Sequence, residues 1–253
     1  MKRHLSVFAL AARASFVKVI AVTLLTAILC GVLLWVAPGY HGYHTYDENG
    51  QLIETTYYGT PSGRKIVQGS FCTIPALLGF AAVAALLARI GTGKNVQPGY
   101  TALRLRIKPW QVIALWSLYN CIMVLFYRAV VTLVIYGVLG CRVRESGAQA
   151  LLLASYGNTF LHNLLPLRDT GAWITLVAST LLTGVAGAMS SARQWRGNAN
   201  IGMPIYSAIV LTAFSMNAPM GSGMVYLVSL ACFTIIGAMI YQACKEVEDE
   251  TDQ

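Results

Sequence analysis

The sequence predicts an all-α, polytopic integral membrane protein. Six transmembrane helices are expected, with an N-terminal interfacial helix and an outer re-entrant or interfacial helical segment. Three observations carry this. Of 253 residues, 56% are hydrophobic and 11% charged, against roughly 25% charged in an average soluble domain. Apolar runs of about 20 residues, the length that spans a bilayer, recur along the chain. The ten acidic residues (Asp47, Glu48, Glu54, Glu145, Asp169, Glu246, Glu248, Asp249, Glu250 and Asp252) all lie between or beyond those runs.

The first 18 residues, MKRHLSVFALAARASFVK, place Leu5, Phe8, Ala12 and Phe16 near one helical face and Lys2, Arg3 and Arg13 elsewhere. That pattern predicts an interfacial helix over 1–18 on the cytoplasmic surface. A signal peptide is disfavoured, because the apolar run after it is too long and lacks an A-x-A cleavage site. The transmembrane domain is expected over 17–244. Span one is Val17–Ala37. A polar outer loop follows over about 38–69, and within it YHTYDENGQLIETTYYG predicts a hairpin turning at Glu48-Asn49-Gly50. Span two is Ser70–Ile90. A basic cytoplasmic segment over about 92–111 carries Lys94, Arg104, Arg106 and Lys108 and no acid.

Span three is Val112–Leu139. The next apolar stretch, 148–167, is interrupted by Asn158, His162 and Asn163 and ends near Pro166. It is expected to form one or two short helices re-entering from the outer side, a geometry tolerated where the backbone is buried in protein. Spans four, five and six follow at Ala172–Ala192, Met203–Ala218 and Met224–Ala243. The tail over 245–253 is acidic, and its composition predicts disorder.

Eighteen residues are lysine or arginine. With the N-terminus inside, twelve fall in cytoplasmic segments and five outside, the remaining one being Arg128. The bias predicts that both termini are cytoplasmic. Reading 148–167 as a full span would weaken it. Because the basic residues sit in short loops beside spans, the net charge of +8 argues for membrane orientation and against nucleic acid.

The six cysteines show no CxxC or Cys/His zinc spacing and no disulfide framework. His41 and His44 with Asp47 have metal-ligand residue types, but their setting in a Tyr/Gly-rich loop favours a solvated hairpin, and no metal site is assigned. GTGKN at 91–95 lacks the first glycine and the Ser/Thr of a phosphate loop. With no HExxH, no GxSxG and no carboxylate pair on a span, the sequence offers no catalytic set, no cofactor site and no sign of an enzyme.

Arg128 is the only charge well inside an apolar span. Two readings stay open: a side chain snorkelling to the outer interface, or one facing a conduit or a partner. Gly79, Ala82, Ala85 and Ala88 in span two, and Gly184, Gly187, Ala188 and Ser191 in span four, recur at helical spacing. Such faces let backbones approach closely, within one chain or between subunits.

Three stretches carry a family resemblance: YTALRLRIKPWQVIALWSLYN, LLASYGNTFLHNLLPLRD and SARQWRGN. Together with the layout, they resemble the permease subunits of export-type (type-two) bacterial ABC transporters. The first is similar to the family's cytoplasmic coupling segment, and the second to its broken outer helix. The resemblance implies a non-catalytic membrane subunit of an ATP-driven exporter in a bacterial inner membrane. Its partners would be a cytoplasmic ABC ATPase subunit and a second permease copy or homologue. Arg104, Arg106, Lys108, Pro109 and Trp110 would then dock the ATPase, although the same basic patch also suits anionic lipid. The alternative is an accessory or assembly membrane protein that transports nothing.

Overall fold

The computed structural model describes residues 2–37, 41–46, 52–58, 63–90, 109–143, 147–167, 169–195 and 222–251. The expected span five, Met203–Ala218, lies outside the described residues.

Helix α1, Lys2–Val36, runs 35 residues without a break. The separate interfacial helix expected over 1–18 is therefore continuous with span one. The segment holds no proline, and its only glycine is Gly31, so nothing near residue 18 supplies a hinge. Its first turns pack on the bundle: Val7 and Ala11 are buried, and Phe8 meets Tyr119 edge-on at 5.3 Å.

Strands β1, His41–Tyr46, and β2, Leu52–Tyr58, pair antiparallel, from His41 opposite Tyr58 to Tyr46 opposite Leu52. The register slips between Thr45 and Tyr46. The expected hairpin is present. The loop reading missed a short helix, α2, Gly63–Ser70, which buries Gly63, Ile66, Val67 and Ser70 on one face. It meets α3, Thr73–Leu87, at 61°. Phe71, at φ 51°, makes the corner, a left-handed conformation that a bulky residue adopts only under tertiary constraint.

Helix α4, Pro109–Arg142, has 34 residues. Pro109 opens it, where its missing N–H costs nothing. The 148–167 region forms two short helices, α5, Gly147–Gly157, and α6, Thr159–Leu164. The side chain of Asn158 breaks them apart by accepting from the amides of Phe160 at 2.9 Å and Leu161 at 3.4 Å. Helix α7 is Thr170–Trp195, and α8 is Ser222–Thr251. The acidic tail, expected to be disordered, continues α8 as helix to Thr251. Glutamate and lysine are good helix formers, and no glycine or proline stops the run.

Three helices, α1, α4 and α7, are long and apolar enough to cross a membrane, and four spans result if the bent α2–α3 pair counts as one. Helix α8 adds a shorter apolar stretch, Tyr226–Gln242. The described chain is thus a helical, membrane-type bundle. Helix α4 is its spine, with α1 and α7 packed along it and α3 against α1. Its core gathers Val19, Cys30, Leu34, Val83, Leu87, Trp116, Val124, Ile135 and Leu139. A smaller cluster of Ala178, Leu182 and Cys232 joins α7 to α8.

The two glycine faces are used within the chain. A Cβ on Gly184 would strike Cys121 Sγ and come within 3.1 Å of the Ser117 carbonyl. One on Gly187 would lie 2.9 Å from Asn120 Nδ2, and one on Gly79 would collide with Thr26 and Tyr127. Ser191 Oγ donates to the carbonyls of Leu87 at 3.1 Å and Ala88 at 2.9 Å, tying α7 to the end of α3.

Candidate intramembrane site

Arg128 sits nineteen residues after the start of α4 and fourteen before its end. At 1.5 Å per residue it lies about 21 Å from the Arg142 end. Helical side chains lean toward their own N-terminus. For Arg128 that direction runs away from the nearer end of α4, so the lean of the helix opposes snorkelling there. The guanidinium instead turns across the bundle. Its Nη2 donates to Ser179 Oγ of α7 at 2.9 Å, and its Cζ stands 5.3 Å from the ring centre of Phe80 on α3. Ser179 donates in turn to the Leu176 carbonyl at 3.0 Å.

The neighbouring side chains hold this arrangement in place. Phe80 and Ser179 are buried. Tyr127, adjacent on α4, donates its hydroxyl to the Ala76 carbonyl at 2.6 Å, and its ring tilts against Phe80 at 5.8 Å. The backbone of α3 is thereby fixed with Phe80 over the arginine. A cation over an aromatic face gains about 2 kcal/mol or more when desolvated.

About two turns toward the start of α4, Asn120 is fully buried and donates to the Gly184 carbonyl at 3.2 Å. Near the opposite end, Arg142 donates to the carbonyls of Leu34 at 2.9 Å and Ala37 at 2.5 Å. It thus caps the last turn of α1, where unpaired carbonyls favour a cation. Tyr136 bonds Ser155 Oγ at 2.8 Å and donates to the Leu161 carbonyl at 3.1 Å, fastening α5 and α6 to α4. His162 pairs with Asp169 at 3.2 Å. Asp169 also accepts from the Ala172 amide at 3.2 Å and so caps α7. The His162 bond, then the amide bond, holds the Asp169 carboxyl below its ordinary range.

Of the residues expected to form a coupling segment, Arg104, Arg106 and Lys108 lie outside the described residues. Pro109 opens α4, and Trp110 beside it is exposed. Among the described residues, no three His, Cys, Asp or Glu side chains cluster as a metal site. The sequence reading missed Ser179 and Phe80 as neighbours of Arg128. The available signal was weak: a serine inside an apolar span tends to face protein, but nothing in the sequence says which helix it meets.

Comparison with known proteins returns no match: no family model, curated protein or solved structure is similar to the chain.

Proposed function

We propose that the chain is the membrane-spanning permease subunit of an ATP-driven exporter, energised by a separate ATPase. The observation that supports this most is the sequence of the spans. Long apolar helices cross the bundle without one aspartate or glutamate. Carriers driven by protons or sodium bind and release the ion on intramembrane carboxylates, so a transporter built this way draws its energy from elsewhere. The basic segment ending at Pro109-Trp110, joined directly to the α4 spine, is where an ATPase would push. On this reading the protein has six spans, sits in a bacterial inner membrane with both termini cytoplasmic, and works beside a second permease copy.

Purification from native membranes tests the proposal. A cytoplasmic ABC ATPase should co-purify, and its ATP hydrolysis should fall when Arg104 and Arg106 are both replaced by glutamate while membrane insertion is unchanged. A preparation free of ATPase, or a double variant with unaltered assembly and hydrolysis, would leave the accessory-protein reading in its place. Topology is tested separately by labelling single cysteines at Asn49, Asn95, Asn198 and Asp252 in a cysteine-free background. Labelling of Asn95 or Asp252 from outside the cell would refute the cytoplasmic termini.

A further inference from the structure

The guanidinium of Arg128 carries five N–H groups in a planar fork. One nitrogen, Nη2, is engaged by Ser179, and the Cζ stands over the Phe80 ring at 5.3 Å from its centre. No acidic residue lies within any apolar run. No guanidinium nitrogen belongs to the sealed, unpartnered polar atoms, and the side chain is only part-buried. The remaining N–H groups of the fork are therefore not among the sealed polar atoms of the bundle.

Helices α3 and α7 touch at one end, where Ser191 grips Leu87 and Ala88. Seven residues along α3 and twelve along α7, Phe80 and Ser179 stand on either side of Arg128. Large apolar side chains are exposed on both helices at this level and toward the hairpin, Leu78 and Ile74 on α3 and Val177 and Leu181 on α7. A guanidinium fork offers bidentate recognition of phosphate or carboxylate. A free ion would have to shed its water to reach a charge about 21 Å from the helix end. An oxyanion attached to an apolar chain arrives through the hydrocarbon, with its tail already in a favourable solvent.

We propose that Arg128, Ser179 and Phe80 form a binding site for the oxyanion head group, phosphate or carboxylate, of an amphiphile that enters between α3 and α7 from within the membrane. This assignment depends on membrane embedding and not on the exporter reading, so either can fail alone.

The test uses the full chain in a neutral detergent, with its unfolding temperature followed during titration. Dodecyl phosphate is compared with dodecyl maltoside, which has the same tail and no oxyanion, and with inorganic phosphate. Dodecyl phosphate should raise the unfolding temperature in the wild type. Arg128→Leu should weaken that binding by about tenfold or more, the worth of a charge-assisted hydrogen bond, and Arg128→Lys should recover part of it. Ser179→Ala and Phe80→Leu should each weaken binding several-fold, and they carry the test if Arg128→Leu does not fold. The site is overturned by no rise in the wild type, by an equal rise with the maltoside, or by an Arg128→Leu response equal to wild type. An Arg128-dependent rise with inorganic phosphate alone would overturn the amphiphile as its source.

Discussion

Two regions of the bundle are joined by opposite means. Around residues 117–121 of α4, contact with α7 depends on side chains being absent: Gly184 and Gly187 let the backbone of one helix approach Cys121 and Asn120 of the other. Toward the hairpin end, contact depends on long polar side chains. Arg128 reaches Ser179, Tyr127 the Ala76 carbonyl, Tyr136 the α5–α6 pair, and Arg142 the end of α1. In lipid no hydrophobic force draws helices together, so close packing and interhelical hydrogen bonds remain as the glue. In this chain close packing dominates at residues 117–121, where Asn120 also donates to the Gly184 carbonyl, and long polar bridges dominate toward the hairpin. The close-packed region leaves no room for change, whereas the hydrogen-bonded region holds groups a ligand can compete for.

The largest effect is expected where side chains are absent. Gly184→Leu forces atoms into Cys121 and the α4 backbone and should destabilise by about 3 kcal/mol, read as loss of the folded species in denaturant titration of the detergent-solubilised protein. A Gly184→Leu variant as stable as wild type would remove the close-packed half of the contrast.

A smaller effect is expected at the cap of α7. Asp169→Ala should cost about 1 kcal/mol. Because the folded-state pKa is lowered, the carboxylate's contribution is present above its unfolded pKa of about 3.9 and is lost as pH falls through the folded value. The stability gap between wild type and Asp169→Asn should therefore shrink as pH falls below about 4. A gap unchanged down to pH 3 would show that the charge on Asp169 contributes nothing.

The smallest effect belongs to the arginine bond. Ser179→Ala should cost about 0.6 kcal/mol, the average for interhelical hydrogen bonds in membranes. A double-mutant cycle with Arg128→Leu isolates the pair. Coupling near zero would mean that Arg128 and Ser179 are neighbours without being partners, and the hydrogen-bonded half of the comparison would rest on the tyrosines and Arg142.

The apolar runs placed α4 and α7 within three residues at each end, because span length and hydropathy are local properties of the chain, whereas α1 and α8 run well past the expected spans. Helix α7, Thr170–Trp195, extends only two or three residues beyond the expected Ala172–Ala192. The Tyr/Thr-rich runs likewise marked the paired strands. Reading failed where local signals compete. Residues 63–70 are polar enough to pass for loop, yet Ile66 and Val67 find a buried surface and α2 forms. The basic N-terminus resembled a surface helix, yet Val7 and Ala11 pack on the bundle.

By itself, then, the sequence determined that this protein meets lipid, that its spans hold no carboxylate, and that Arg128 is their one deep charge. Each of these follows from the order of residues along the chain. Only the tertiary structure decided that the glycine faces close within the chain and that Arg128 turns to Ser179 and Phe80. Those partners lie 51 and 48 positions away in sequence. Which helices become neighbours depends on how side chains from distant segments fit together, and no single span encodes that.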